Sequence, residues 1–142
     1  MAETLKVDVV SAEQSIFTGE AKMVVAPAEM GEVGILPRHT PYLSRLKPGT
    51  VRVIFPDGEE EPYYISGGII EVQPHHVTIL ADTALRAEDI DEAAALEAKR
   101  RAEEALKQKK SAEEIARVQE ELIKAAAQLQ ALEILRRRKG RT

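Results

Sequence analysis

The chain has no cysteine, which removes a disulfide framework, a thiolate nucleophile and any zinc site built on cysteine. Aromatic residues are few, and Phe17, Tyr42, Phe55, Tyr63 and Tyr64 all fall in the first half of the chain. Long hydrophobic runs are missing as well. The longest, Met23 to Ala28, is far short of the roughly 18 apolar residues that suggest a membrane-spanning helix. Positive charge is not in excess: the net charge is -4, whereas a nucleic-acid binder normally carries a basic footprint. The opening Met1-Ala2-Glu3 is acidic where a secretory leader would be basic, and neither a leader nor a transit peptide is expected. Between Glu88 and Gly140 there is no glycine and no proline. The remaining composition, 44% hydrophobic and 31% charged, suits a folded chain of one ordinary domain or two small ones.

Two regimes meet near Ala87. Residues 1–87 hold seven Lys/Arg, twelve Asp/Glu and all seven prolines, whereas residues 88–142 hold thirteen Lys/Arg against twelve Asp/Glu. In the first part Leu5, Val7 and Val9 alternate with Lys6, Asp8 and Val10, the period of two that a half-buried strand requires. Further strand-like runs lie at Lys22 to Ala26, Val33 to Leu36, Val51 to Phe55, Tyr63 to Ser66, Ile69 to Val72 and Val77 to Ala81. Asp57-Gly58 between two of them is a hairpin signal, and Gly67-Gly68 marks another turn. Many short strands with regular turns predict an antiparallel sandwich or barrel.

From Glu88 onward Ala, Leu, Glu, Lys and Arg dominate, all strong helix formers. A break at Lys109-Lys110-Ser111 is followed by Glu114, the spacing of a capping box. Ile115, Val118, Leu122, Ala125, Leu129 and Leu132 step by three and four into a single seam, opposite an alanine stripe of Ala95, Ala98, Ala102 and Ala105. The expected architecture is α+β: a β-sandwich over 1–87 and an antiparallel α-helical hairpin over 88–142. Its arms are of about 20 residues and 30 Å each. Alanine buries little area, so a loose attachment of the hairpin to the sandwich is expected. A marginally packed arm is what a conformational switch needs, and a static appendage is the alternative.

No catalytic constellation emerges. His75 and His76, as adjacent strand residues, point to opposite faces and do not suit one ion, so no metal site is expected and they read as solvated turn residues. The serines lack a nucleophile-elbow context, and Gly31 to Gly34 lacks the helix and lysine of a P-loop. Glu59-Glu60-Glu61 reads as a solvated charge run. The basic run from Arg136 to Arg141 complements a helix C-terminus or docks on an acidic surface. Arg117 and Lys124, seven residues apart, extend it along one helical face. The residues alone indicate an interaction module.

Four stretches, VDVVSAEQSIFTGEA, GEVGILPRHTPYLSRLKPG, YYISGGIIEVQPHHVTILADTA and DIDEAAALEAKRRAEEAL, carry a resemblance over nearly the whole chain. The specific motifs are Gly31-x-x-Gly34-x-x-Pro37-x-His39-x-Pro41 and Ser66-Gly67-Gly68-x-x-Glu71-Val72. The sequence resembles the epsilon subunit of bacterial, chloroplast-type rotary ATP synthases. The resemblance implies a sandwich of about ten strands, clamped to the gamma subunit and seated on the ring of c subunits. It implies a non-catalytic rotor subunit on the cytoplasmic face of the bacterial inner membrane, coupling ring rotation to the catalytic head.

The same resemblance assigns ring contact to a loop of Gly31, Glu32, Val33 and Gly34, with His39 nearby. It implies an arm that extends to contact the beta and alpha subunits and inhibits ATP hydrolysis, with Arg117, Lys124, Arg136, Arg137 and Arg138 as the contacts. Relatives that bind ATP carry Ile/Leu-Asp-x-x-Arg-Ala at the first helix, and here Ile90 and Asp91 are followed by Ala94 in the arginine position. Alanine supplies neither charge nor donors. Arg86, Arg100 and Arg101 would compensate only in part, so weak or absent ATP binding and no cofactor are expected. A free-standing ATP-sensing module on the same fold is the alternative function.

Overall fold

Among the described residues, short alternating runs separated by Gly, Pro and Asp turns fold into ten strands. These are β1 (Leu5–Ser11), β2 (Ser15–Ala21), β3 (Met23–Ala28), β4 (Gly31–Ile35), β5 (Tyr42–Leu46), β6 (Gly49–Ile54), β7 (Glu60–Ile65), β8 (Gly68–Gln73), β9 (His76–Ala81) and β10 (Ala84–Arg86). The computed structural model describes residues 3–108 and 110–140. Met1 and Ala2, Lys109 of the expected helix break and Arg141 of the basic run lie outside the described residues. The strands run in the spatial order β10-β7-β6-β3-β5-β8-β9-β1-β2, with β4 paired to β3 off that path. One core, including Val7, Val9, Val24, Val53, Tyr63 and Ile79, fills the space between the layers.

Among the described residues the ladders are antiparallel with one exception: β1 and β9 run parallel, Val7 opposite Val77. They come from opposite ends of the sandwich sequence, so no hairpin dictates their direction. Sequence periodicity does not reveal β2, β5 or β10: β2 contains Gly19 between Thr18 and Glu20, and β10 has only three residues. The Asp57-Gly58 hairpin joins β6 to β7, with Gly58 at φ 90° and the Asp57 carboxylate accepting the Glu59 N–H at 2.8 Å. Gly68 is obligatory for a different reason. At φ 149° it lies so close to β9 that a Cβ would fall 2.1 Å from the Leu80 carbonyl oxygen.

A 3-10 turn at Ala87–Asp89 leads into α1 (Glu92–Leu106), followed by α2 (Ala112–Lys139). The Ser111 hydroxyl accepts the Glu114 N–H at 3.2 Å. The Glu114 carboxylate accepts a hydrogen bond from the Ser111 hydroxyl, not from the cap's backbone N–H as a full capping box would have it. The arms are unequal, 15 and 28 residues, or about 22 and 42 Å at 1.5 Å per residue. In place of two matched arms, the first half of α2 faces the alanine stripe of α1 and its second half continues across the sandwich.

That second half carries a stripe the leucine seam conceals: Ala127, Ala131 and Leu135 step by four. They are buried with Leu132 against Tyr64, Ala87 and Ile90. Small side chains let the helix sit close on β6 and β7, so the arm is seated on a continuous apolar patch, closer than the expected loose attachment. Between the hairpin arms, a groove of about 690 Å³ stays open beside Ala94, Ala98 and Ala105.

Candidate functional site

The folded arm divides the outer surface of the sandwich into two halves. Over β6 and β7, the outward residues Thr50 and Tyr64 are buried beneath α2. Over β5, β8, β9 and β1 the outward residues are less covered, and α2 reaches only one edge of them, where Arg45 and Ile69 border a groove of about 640 Å³ shared with Gln119 and Ile123 of the helix. Arg45 lies opposite Ile69, Ile69 opposite Leu80 and Leu80 opposite Val10, a row crossing four strands. Leu43, Ile69 and Leu80 are 68%, 44% and 51% exposed, a contiguous apolar area of the kind that marks a docking surface. Beside it, Asp8 and His76 are 2.6 Å apart. His76 is therefore a paired strand residue, not a solvated turn histidine. Sequence alternation places Val10, Leu80 and Ile69 on one side of their strands but is silent on which side is covered.

The expected ring-contact loop is instead a strand. Gly31 to Gly34 form β4, with Glu32 opposite Pro27 and Val33 opposite Ala26. The run GEVGI looks like a glycine-rich turn, but the pairing partner β3 supplies the ladder that decides otherwise. The turn precedes it, and Met30, 96% exposed, is at its tip. Gly31 adopts φ 133° with nothing within 4 Å of a notional Cβ, so it shapes the turn and leaves space in front of it. The Glu32 side chain is 63% exposed and lies 3.7 Å from Arg52. His39, half-buried, places Nδ1 2.6 Å from the Thr40 carbonyl oxygen, and its ring is 6.3 Å from that of Tyr42.

The five basic residues do not form one free stripe. Arg117 and Arg137 are exposed on α2. Lys124 pairs with Glu120 at 3.2 Å, and Arg136 with Glu92 of α1. Arg138 donates to the Glu60 carbonyl at 2.8 Å. Helical rotation separates three consecutive arginines, and the sandwich and α1 each claim one. Their acceptors are residues the sequence presents as a solvated run. Glu60 is held by Arg52 at 2.9 Å, and Glu61 by Arg86 at 2.6 Å. Only the register of β7 against β6 and β10 makes Glu60 and Glu61 structural.

The nucleotide motif is occupied by structural duties. Ile90 is buried beneath α2, and the Asp91 carboxylate caps α1 by accepting the Ala94 N–H at 3.0 Å. Arg86 donates to Glu61 and to the Ile16 carbonyl at 2.8 Å, and its guanidinium lies 5.6 Å from the Tyr63 ring centre. Burial pushes the Tyr63 hydroxyl well above its ordinary value, with the Glu61 charge adding to it. Arg100 and Arg101 pair with Glu97. Among the described residues no cluster of three or more His, Asp or Glu is arranged to hold a metal ion.

Comparison with known proteins matches two family profiles: "ATP synthase, Delta/Epsilon chain, beta-sandwich domain" over residues 4–87 and "ATP synthase, Delta/Epsilon chain, long alpha-helix domain" over residues 88–133. An ATP synthase epsilon chain from Alkalilimnicola ehrlichii is 65% identical over 97% of this chain and 99% of its own. One from Nitrosococcus oceani is 60% identical over 99% and 100%. A solved structure of the Euglena gracilis mitochondrial ATP synthase contains a chain of the same fold. Its TM-score is 0.70 at 23% identity, covering 94% of this chain and 79% of that one.

Proposed function

The chain belongs to the ATP synthase delta/epsilon family as an epsilon subunit, a non-catalytic part of that complex, and from that premise we propose how its two surfaces are used. The less covered apolar face of β5, β8, β9 and β1 takes the gamma subunit. The β3–β4 end, with Gly31, Glu32, Val33, Gly34 and His39, seats on polar loops of the c-subunit ring. The chain thereby couples rotation of the ring to the catalytic head, lying against the cytoplasmic face of a bacterial membrane without inserting in it. Among the described residues, no helix is long and apolar enough to cross a bilayer.

The helical arm is a brake on ATP hydrolysis. It leaves the sandwich, extends toward the catalytic head and presents Arg117, Lys124, Arg136, Arg137 and Arg138 to acidic segments of the beta and alpha subunits. The observation that carries this reading is the division of labour in the core. The sandwich core of Leu5 to Ala84 is complete without the arm, and the arm is held by a separate small cluster around Tyr64. An element packed in this way can detach while the rest stays folded. ATP binding is not part of the proposal, because the Ala94 side chain supplies no donor and the Asp91 carboxylate is committed to the helix cap.

The test is ATP hydrolysis by the reconstituted catalytic head with gamma, comparing the full chain with one ending at Arg86 and with one carrying alanine at the five basic positions. Both variants are expected to raise hydrolysis several-fold over the full chain. Equal rates for all three would make the arm a static strut.

A further inference from the structure

Glu32 of β4, Arg52 of β6, Glu60 of β7 and Arg138 of α2 line one side of a cavity of about 260 Å³ at the C-terminal end of the arm, completed by Gln130, Ile134 and Arg137. Arg52 is shared: Nη1 bonds the Glu60 carboxylate at 2.9 Å and Nη2 lies 3.7 Å from that of Glu32. The backbone carbonyl of the same Glu60 receives Arg138. We propose that this group is an electrostatic latch, in which engagement of Glu32 by an outside cationic or polar partner loosens the end of the arm.

The charge balance explains the direction. Three cations, Arg52, Arg137 and Arg138, face two carboxylates, Glu32 and Glu60. The group carries one excess positive charge while Glu32 is present and two when Glu32 is drawn away. The second excess charge falls where Arg137 and Arg138 must stay close to Arg52, so repulsion grows on the arm side of the cavity. Arg136 does not oppose release, because its partner Glu92 belongs to the arm and moves with it. The folded arrangement also has an internal cost. The Thr50 hydroxyl is buried without a hydrogen-bond partner, and water reaches it once the arm lifts. Linkage makes the coupling reciprocal: an outside partner on Glu32 favours the released arm, and a released arm leaves Glu32 freer for that partner.

This inference rests on the proposed function for its biological meaning, but it is testable in the isolated full chain. The absence of cysteine allows spin labels at Gln73→Cys on β8 and Glu133→Cys on α2, both exposed positions, with the distance distribution read by pulsed electron resonance. Glu32→Gln is expected to raise the released-to-folded ratio about two- to five-fold, the range of partly exposed ion pairs. Arg138→Ala is expected to do the same, and adding Glu32→Gln to Arg138→Ala should change little more. Glu71→Gln, a carboxylate on the less covered face, should leave the distribution unchanged. A Glu32→Gln distribution that superimposes on the unsubstituted chain, while Leu135→Ala shifts it, overturns the latch. If Glu32→Gln moves the arm but removal of the arm leaves hydrolysis unchanged, the latch stands and the inhibitory reading falls.

Discussion

Asp8 and His76 illustrate how one residue pair ties the sandwich to pH. Burial works to raise the Asp8 carboxyl, but hydrogen bonds from His76 and Thr18 and the charges of His76 and Lys6 outweigh it and hold the group below its ordinary value. A carboxylate with a lowered folded-state value stabilises the fold above its unfolded-state value and loses that contribution as pH falls through the folded one. The pair is partly exposed, so its contribution is about 1 kcal/mol or less. Urea unfolding of the full chain and of Asp8→Asn across acidic pH should show the unsubstituted chain losing its advantage as pH falls below about 4. Parallel curves for the two would show that Asp8 is not stabilised by its neighbours. Asp8 and His76 were visible in the sequence as a strand aspartate and an unremarkable histidine. Their meeting depends on the parallel register of β1 against β9, which pairs Lys6 with His76 and Asp8 with Thr78.

At the scale of elements, α2 does two jobs with two stripes. Its first half packs along α1, with Val118 and Ala125 buried, and its second half seats on the sandwich through Ala127, Ala131 and Leu135. The seam was legible as a repeat of three and four. The second stripe was not, because alanines fit any helix face and only a neighbour distinguishes one from another. Leu135→Ala removes the largest seat contact at the end of the helix, at a cost of about 2 kcal/mol. Hydrogen exchange of amides from Ala127 to Lys139 should then quicken about 30-fold, while β8 and β9 keep their protection. Uniform acceleration over the chain would mean that arm and sandwich unfold as one unit.

For the whole molecule, the arrangement of partners follows from which half of the sandwich the arm covers. The less covered face holds Val10, Leu80, Ile69 and Leu43, of which Leu43, Ile69 and Leu80 are exposed, and only Ile69 borders the groove beside α2. Replacing Ile69 and Leu80 together with aspartate should abolish co-purification with the gamma subunit and shift the melting temperature of the isolated chain by no more than a few degrees. Retained co-purification would place gamma elsewhere, and a collapse in melting temperature would show these side chains to be part of the core.

The two-part organisation, the strand and helix types, the helix cap at Ser111 and the family are all readable from the sequence, whereas the capping role of Asp91 came from the structure. Local rules suffice for the former: turn residues set strand ends, side-chain period sets the element type, and a hydroxyl before a helix satisfies its first amides. Only the tertiary arrangement makes Gly31 to Gly34 a strand, lets Glu60 and Glu61 hold arginines, and engages Arg136 and Arg138 of the arm at home. Each of these depends on which strand or helix lies opposite, a long-range pairing that no window of neighbouring residues encodes.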